Sequence, residues 1–246
     1  MVLAANVHGE MKLVTGQPLN SQQEEMPVKG RNGLMINQKL RFGNYHTLSV
    51  KRSAIRKMKE TFGIDNTVWT EHSEGKQTIH FRLTDDTYTS DVVATSHVSM
   101  NDLVIGRAPG GLPGPISSIL RIGTGDQEDN YSVAISITPG EKPWQLFLDN
   151  NSAQMERNTY LGFVSRDNEY YTVAPVWQME RKGKVVKFPF GCAGFEIRND
   201  HGDALAAVSL LNNGVVYMGK LDSKEQFLMA NICAAILLQS NLTDTH

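Results

Sequence analysis

The most constraining feature of this sequence is an apolar run near its C-terminal end. The run, Phe227-Leu-Met-Ala-Asn-Ile-Cys-Ala-Ala-Ile-Leu-Leu238, is apolar on nearly every face of a helix, and such a helix has to be buried on all sides. A helix of this length rises only about 18 Å, whereas the hydrocarbon core of a bilayer is about 30 Å thick. We therefore predict a central core helix over residues 223–240, begun by Ser223 and Gln226 as a capping box, and no transmembrane segment.

The residues before this helix carry strand signals, separated by turn residues at intervals of about 8 to 14 positions, as in a barrel or sandwich. Asn213-Gly214 is the strongest turn signal, because both residue types tolerate a positive φ angle. We predict strands over residues 33–42, 45–50, 78–83, 88–96, 116–122, 131–138, 144–148, 159–164, 170–173, 176–180, 185–190, 194–198, 204–210 and 215–221. Residues 56–62 are predicted as a short helical turn, and the glycine- and proline-rich residues 106–115 as a surface loop.

The width of the helix indicates the fold class. Two packed sheets leave a gap of about 10 Å for side chains, whereas a helix with its side chains is about 10 to 12 Å across. A closed antiparallel barrel of about twelve strands provides the extra width and removes exposed sheet edges. We predict such a mainly β barrel as a single domain over residues 27–246, after a flexible N-terminal arm over residues 1–26. In the alternative, the helix lies on one open sheet, and Asn231 and Gln239 mark its outer face.

The charge of the chain is locally asymmetric, although its net charge is only −2. That net charge gives no global attraction to nucleic acid, so a nucleic-acid partner is not favoured. Between residues 29 and 59 there are nine cations and no acidic residue: Lys29, Arg31, Lys39, Arg41, Lys51, Arg52, Arg56, Lys57 and Lys59. Such a segment would attract the phosphates of anionic lipid headgroups or envelope components.

The candidate binding residues within this segment are Lys29, Arg31, Lys51, Arg52, Arg56 and Lys57. Four of them converge if residues 53–59 are helical, since Lys51 and Arg52 then approach Arg56 and Lys57. In the alternative interpretation, the cations lie on solvated strand faces and pair with Asp and Glu residues from elsewhere in the fold.

The C-terminal strands and helix resemble a known superfamily. The segment Phe195-Glu-Ile-Arg-Asn-Asp-His-Gly202 is followed by a strand over residues 204–210, a further strand and the wholly apolar helix. In this pattern, residues 190–242 resemble the tubby-like superfamily, which includes tubby C-terminal domains, phospholipid scramblases and plant LURP-one-related proteins. The resemblance implies a twelve-stranded barrel around a central helix. Tubby domains bind phosphoinositide headgroups through Lys and Arg, but the resemblance assigns no residue of that site to this chain.

Two segments closer to the N-terminal end resemble uncharacterised exported bacterial proteins. They are Met26-Pro-Val-Lys-Gly-Arg-Asn-Gly33 and Phe42-Gly-Asn-Tyr-His-Thr-Leu-Ser-Val-Lys-Arg-Ser53. This resemblance implies a removed leader and a periplasmic or outer-membrane-associated location. The residues themselves show no secretory signal, because Met1-Val-Leu-Ala-Ala-Asn6 lacks a basic start and a long apolar stretch. Without a removed leader, a cytoplasmic location is expected.

Signals for catalysis and metal binding are weak. A loose cluster of potential metal ligands contains Glu71, His72, Glu74 and His80, but their spacing matches no recognised site. We therefore predict no catalytic residue, no metal and no cofactor, and we expect a non-enzymatic binding or structural module. The alternative is a small-molecule enzyme with its site at the barrel mouth, built from residues 71–80 and the 106–115 loop. Cys192 and Cys233 are predicted as buried free thiols; in the alternative, they pair as a disulfide in an oxidising compartment.

Overall fold

A computed structural model of the chain describes residues 11–31, 38–63, 68–105, 120–123, 128–150, 162–189 and 191–239. Strands dominate these residues. In chain order the elements are β1 (Lys12–Leu13), α1 (Leu19–Gln22), β2 (Glu24–Pro27), β3 (Arg41–Phe42), β4 (Tyr45–Arg52), β5 (Arg56–Gly63), β6 (Val68–Thr84), β7 (Thr89–Ile105), β8 (Leu120–Gly123), β9 (Glu128–Ser136), β10 (Trp144–Asp149), β11 (Gly162–Arg166), β12 (Glu169–Val176), β13 (Gln178–Arg181), β14 (Lys184–Lys187), β15 (Gly194–Arg198), β16 (Ala204–Ser209), β17 (Val215–Met218) and α2 (Ser223–Leu238).

Twelve of these strands form a nearly closed antiparallel barrel. Their order is β2-β17-β16-β15-β12-β11-β10-β9-β7-β6-β4-β3. The two ends of this path meet in an antiparallel bridge, in which Lys29 N donates to Arg41 O at 2.8 Å and Arg41 N donates to Lys29 O at 3.0 Å. Closure removes the unpaired edges that an open sheet would expose. The prediction of a mainly β, twelve-stranded barrel is confirmed.

Helix α2 lies within the barrel and forms its core. Each of residues 227–238 is at most 3 % exposed. Aromatic rings from two sides reach the start of the helix, because the ring of Phe227 lies 6.3 Å from that of Tyr45 and 5.6 Å from that of Tyr88. The barrel interior therefore compensates for a helix that has no polar face. Among the described residues, no helix is both long enough and apolar enough to span a membrane.

The buried amide of Asn231 is satisfied inside the barrel. Its Nδ2 donates to Phe227 O at 2.7 Å, and its Oδ1 accepts a hydrogen bond from Ser90 Oγ on β7 at 2.5 Å. The residue is fully buried, so it does not mark a solvent-facing side of the helix. The open-sheet alternative is therefore wrong, because in it Asn231 marks the outer face of the helix.

The two ends of α2 differ from the sequence prediction. The N-cap is Asp222, whose Oδ1 accepts hydrogen bonds from Lys224 N and Glu225 N, so Ser223 is the first helical residue and not the cap. The last helical residue is Leu238, two residues before the predicted end. An acidic cap satisfies free N–H groups and complements the helix dipole, which explains why Asp222 takes this position.

The chain before β2 is part of the fold. Leu13 and Leu19 pack on the outer surface of the barrel in a second apolar cluster, against Val176, Ala207 and Tyr217. Strand β1 pairs with β13 in a separate three-stranded sheet, and β2 pairs with β17 as part of the barrel wall. The prediction of a flexible arm is therefore wrong for residues 11–26, while residues 1–10 lie outside the described part of the chain. In the sequence, the many polar residues around Leu13 and Leu19 gave no indication that these two leucines are buried.

Glu196 fastens this N-terminal segment to the barrel. Its carboxylate is 2 % exposed and accepts hydrogen bonds from Gly16 N at 2.6 Å and Arg198 Nη2 at 2.8 Å. A buried carboxylate needs such partners. The close approach leaves no room at Gly16, where a Cβ atom would lie 2.9 Å from Glu196 Oε1.

Strands β6 and β7 continue beyond the barrel. Strand β6 pairs with β4 over residues 79–84 and with β5 over residues 69–76, and β7 pairs first with β9 and then with β8. The prediction of a helical turn over residues 56–62 is wrong, because these residues belong to β5. The predicted 106–115 loop lies outside the described residues. The C-terminal hairpins pair as predicted. In the β16–β17 turn, however, the positive φ angles are at Asn212 and Gly214, and Asn213 has none.

Candidate anion-binding face

Two of the six candidate cations bind main-chain oxygens of the fold. Arg31 Nη1 donates to Leu210 O at 2.9 Å, and Arg52 Nη2 donates to Leu238 O and to Gln38 Oε1, each at 2.9 Å. Both side chains are half-buried, and burial lowers the pKa of both guanidinium groups. Arg52 projects into the barrel and supports the C-terminal end of α2. These contacts give Arg31 and Arg52 a structural role.

A bulge between β4 and β5 determines where the other cations point. Residues 53–55 lie opposite only Gln77 and Thr78 of β6, because Arg52 pairs with Ile79 and Arg56 pairs with Lys76. Ser53 holds the bulge: its N–H donates to Thr78 O at 2.8 Å, and its Oγ accepts from Thr78 N at 3.0 Å. The extra residue shifts the alternation of side chains. As a result, Arg56 shares a face with Lys51, whereas Lys57 points to the other face.

The shared face is the outer surface of the sheet. On β6, Ile79, Phe81 and Leu83 are buried toward α2, so the alternate residues Lys76 and His80 point outward. The register places Lys51 opposite His80, Arg56 opposite Lys76, and Lys76 opposite His97 of β7. We call this surface the basic face and define it as Lys51, Arg56, Lys76, His80 and His97.

The cations of the basic face are not neutralised within the described part of the chain. Lys51, Arg56 and Lys76 are exposed, and no described side chain forms an ion pair with any of them. Arg56 and Lys76 stand directly opposite each other, an arrangement of like charges that destabilises a strand pair. A bound anion would remove this repulsion.

Two acidic residues near the basic face lie close to other basic side chains, and Glu60 and Glu128 lie on the same outward face. Asp91 Oδ1 lies 3.2 Å from Arg82 Nε, and Glu74 Oε1 lies 3.5 Å from His72 Nε2. Lys76 and His80 are separated by four residues, or about 13 Å along the strand. The basic face is therefore long enough for more than one phosphate group.

The two remaining candidates lie apart from the basic face. Lys29 is exposed at the barrel seam, where it pairs with another cation, Arg41. Lys57 is exposed on the opposite side of β5, as strand alternation requires. Sequence reasoning missed Lys76 and His97 altogether and considered His80 only as a metal ligand. The even spacing of residues 76 and 80 indicates that they share one face of a strand. Only the register of β4, β5 and β6 shows that Lys51 and Arg56 lie on the same face.

Of the two parts of the enzyme alternative, only residues 71–80 belong to the described structure. Residues 71–77 lie on the part of β6 beyond the barrel, and residues 106–115 lie outside the described residues. The cavity at the mouth near the start of α2 measures about 240 Å³ and is lined by Asn44, Tyr45, Asp85, Thr87, Tyr88, Ser223 and Gln226. Burial, followed by the charge of Asp85, raises the pKa of Tyr45 to about 12. In the described ranges, no three His, Cys, Asp or Glu residues are grouped to hold a metal ion.

Comparisons of the chain with protein-family models, with curated proteins and with solved structures found no match. They neither support nor oppose the tubby-like resemblance. The geometry and the charge of the basic face are therefore the grounds for a functional assignment.

Proposed function

We propose that this protein is a non-enzymatic binding module that recognises phosphate-bearing groups of an anionic lipid surface or envelope component through its basic face. One observation carries this proposal. Lys51, Arg56 and Lys76 share one outward face and have no ion-pair partner among the described residues. Like charges placed side by side cost stability in the free protein, and an anionic ligand would recover that free energy on binding.

The expected strength of binding follows from the number of exposed cations. A Lys or Arg close to an anionic leaflet contributes about 1 kcal/mol. Three such residues would increase the affinity roughly 100-fold over that of the same protein without them. Because the residues are exposed, added salt would screen most of this attraction. Strong salt dependence is thus a direct consequence of the geometry.

We also propose that the protein is a member of the tubby-like superfamily. The support is the combination of a nearly closed twelve-stranded barrel with one apolar C-terminal helix inside it. The strands β15, β16 and β17 lead into α2 in the order that the resemblance implies. Arg31 and Arg52 are held by the fold, so headgroup recognition would depend on the exposed Lys51, Arg56 and Lys76.

The test compares two variants that remove the same charges from different surfaces. K51Q/R56Q/K76Q neutralises the basic face, and R181Q/K182Q/K184Q neutralises one Arg and two Lys residues of the exposed β13–β14 hairpin. Each protein is sedimented with phosphatidylcholine vesicles, with or without phosphatidylglycerol, at low and at high salt. We expect wild type and the hairpin variant to bind only the anionic vesicles at low salt, and the basic-face variant to lose roughly 100-fold in affinity.

Three results would contradict the proposal. They are equal binding by all three proteins, a loss confined to the hairpin variant, and equal binding to neutral and anionic vesicles. Circular dichroism of each variant serves as the folding control.

A further inference from the structure

Strand β5 carries two exposed apolar side chains on the face that it shares with Arg56. Met58 is 51 % exposed and Phe62 is 62 % exposed. Alternate residues of a strand point to the same side, so Arg56, Met58 and Phe62 all project outward. Among the described strands, β5 is hydrogen-bonded only to β6, and it therefore forms an edge of the sheet.

This combination differs from the scattered apolar residues of an ordinary surface. Single exposed apolar residues are normal and need no explanation, whereas grouped ones mark interaction sites. Here the two exposed apolar side chains of β5 share a face with Arg56, which has no described ion-pair partner, and Met58 is the next residue along that face. Glu60 lies between Met58 and Phe62 on the same face, and Glu74, opposite Met58, is engaged by His72. The face therefore combines two apolar side chains and cations without a described ion-pair partner with the carboxylates of Glu60 and Glu74.

We infer that the partner of the basic face is a lipid bilayer, with Met58 and Phe62 entering its interfacial region while Arg56 and Lys76 contact headgroup phosphates. This inference rests on the proposed function. A soluble polyanion would use only the cations and would leave the two apolar side chains in water. A bilayer presents phosphate groups next to apolar material, and β5 presents a cation and two apolar side chains on one face.

The spacing along β5 fits a strand that lies flat on the surface. Arg56 and Met58 are two residues apart, or about 7 Å, and Met58 and Phe62 are four residues apart, or about 13 Å. Side chains that point to one side of a strand at these intervals can contact a flat bilayer surface at the same time. Burying a Met or Phe side chain strengthens binding by roughly tenfold or more for each residue.

The experiment separates apolar contact from charge by using two ligands. Binding of wild type, M58S/F62S and K51Q/R56Q/K76Q is measured with vesicles that contain phosphatidylglycerol and with inorganic polyphosphate, which has no apolar phase. V185S/V186S is the matched control, because these two β14 residues are also exposed apolar side chains, at 60 % and 37 %. We expect M58S/F62S to lose roughly 100-fold in vesicle affinity with unchanged polyphosphate binding.

The possible results distinguish this inference from the function on which it rests. Unchanged vesicle binding by M58S/F62S would overturn the inference and leave the proposed function standing. Unchanged vesicle binding by K51Q/R56Q/K76Q would overturn the proposed function itself. If wild type is a dimer by sedimentation velocity and M58S/F62S is a monomer without vesicles, the apolar pair covers a second copy, and the bilayer inference fails.

Discussion

Replacing Arg52 by Met tests whether this cation supports the core helix. The last four carbonyl groups of a helix have no intrahelical partner, and Leu238 O is one of them. Arg52 Nη2 donates to it at 2.9 Å from β4, so a cation of the barrel wall caps the buried end of α2. The substitution removes this donor while it keeps an apolar stem of similar length.

The magnitude can be estimated from two contributions. A hydrogen bond that involves a charged group is worth about 1.5 to 3 kcal/mol, and a cation at a helix C-terminus about 0.3 to 1 kcal/mol. The free energy of unfolding should therefore fall by about 2 to 4 kcal/mol. For a chain of this size, each kcal/mol lowers the Tm by about 2 to 4 °C, so a decrease of about 4 to 16 °C is expected.

Urea unfolding followed by circular dichroism measures the change, with K51M as the control. Lys51 is the preceding residue of β4, but its side chain points to solvent. A surface substitution of this kind changes stability by about 0.5 kcal/mol or less. Equal stability of R52M and K51M would refute the idea that Arg52 caps the helix. In vesicle binding we expect the opposite order: K51M should bind more weakly than R52M, because only Lys51 belongs to the basic face.

Three further predictions concern the interior of the barrel. Y131F should lower the free energy of unfolding by about 1 to 3 kcal/mol in urea, because Tyr131 is fully buried and its Oη donates to Ala235 O at 2.7 Å. N231D should cost several kcal/mol at neutral pH by the same assay, since a carboxylate would lie against Phe227 O, whereas S90A should cost much less. Burial raises the pKa of the Cys233 thiol to about 12, from 9.0. Above pH 9.0 the unfolded chain therefore releases a proton that the folded chain retains, so the free energy of unfolding should fall with rising pH, on the order of 1 kcal/mol per pH unit from this group. Stability that is flat up to pH 12 would contradict this assignment.

The core of the fold could be predicted because local patterns and the global architecture agree. Residues 227–238 have no polar face, and this alone requires an enclosing wall. The turn at Asn212 and Gly214 and the alternation over residues 194–210 specify the hairpins next to that helix. A pattern of this kind depends on neighbours in sequence, so it can be recognised without knowledge of the tertiary structure.

The candidate site could be predicted only in part, because it depends on register. The basic run between residues 29 and 59 was visible, but one extra residue in the bulge decides that Arg56, and not Lys57, joins Lys51. Lys76 comes from another strand and is brought in by pairing. The amphipathic pattern of residues 56–62 also fits a helix turn, and only pairing with β6 makes these residues a strand.

The position of α2 after the last described strand has a consequence for the folding of the protein during its synthesis. Strand β2, near the start of the described chain, pairs with β17, near its end. The ribosome therefore synthesises all the described strands of the barrel wall before it synthesises the helix that fills the barrel. At roughly 5 to 20 residues per second, the ribosome needs on the order of ten to forty seconds between β2 and α2. During this interval the apolar inner faces have no native partner, so we expect the growing chain to depend on chaperones until translation passes Leu238.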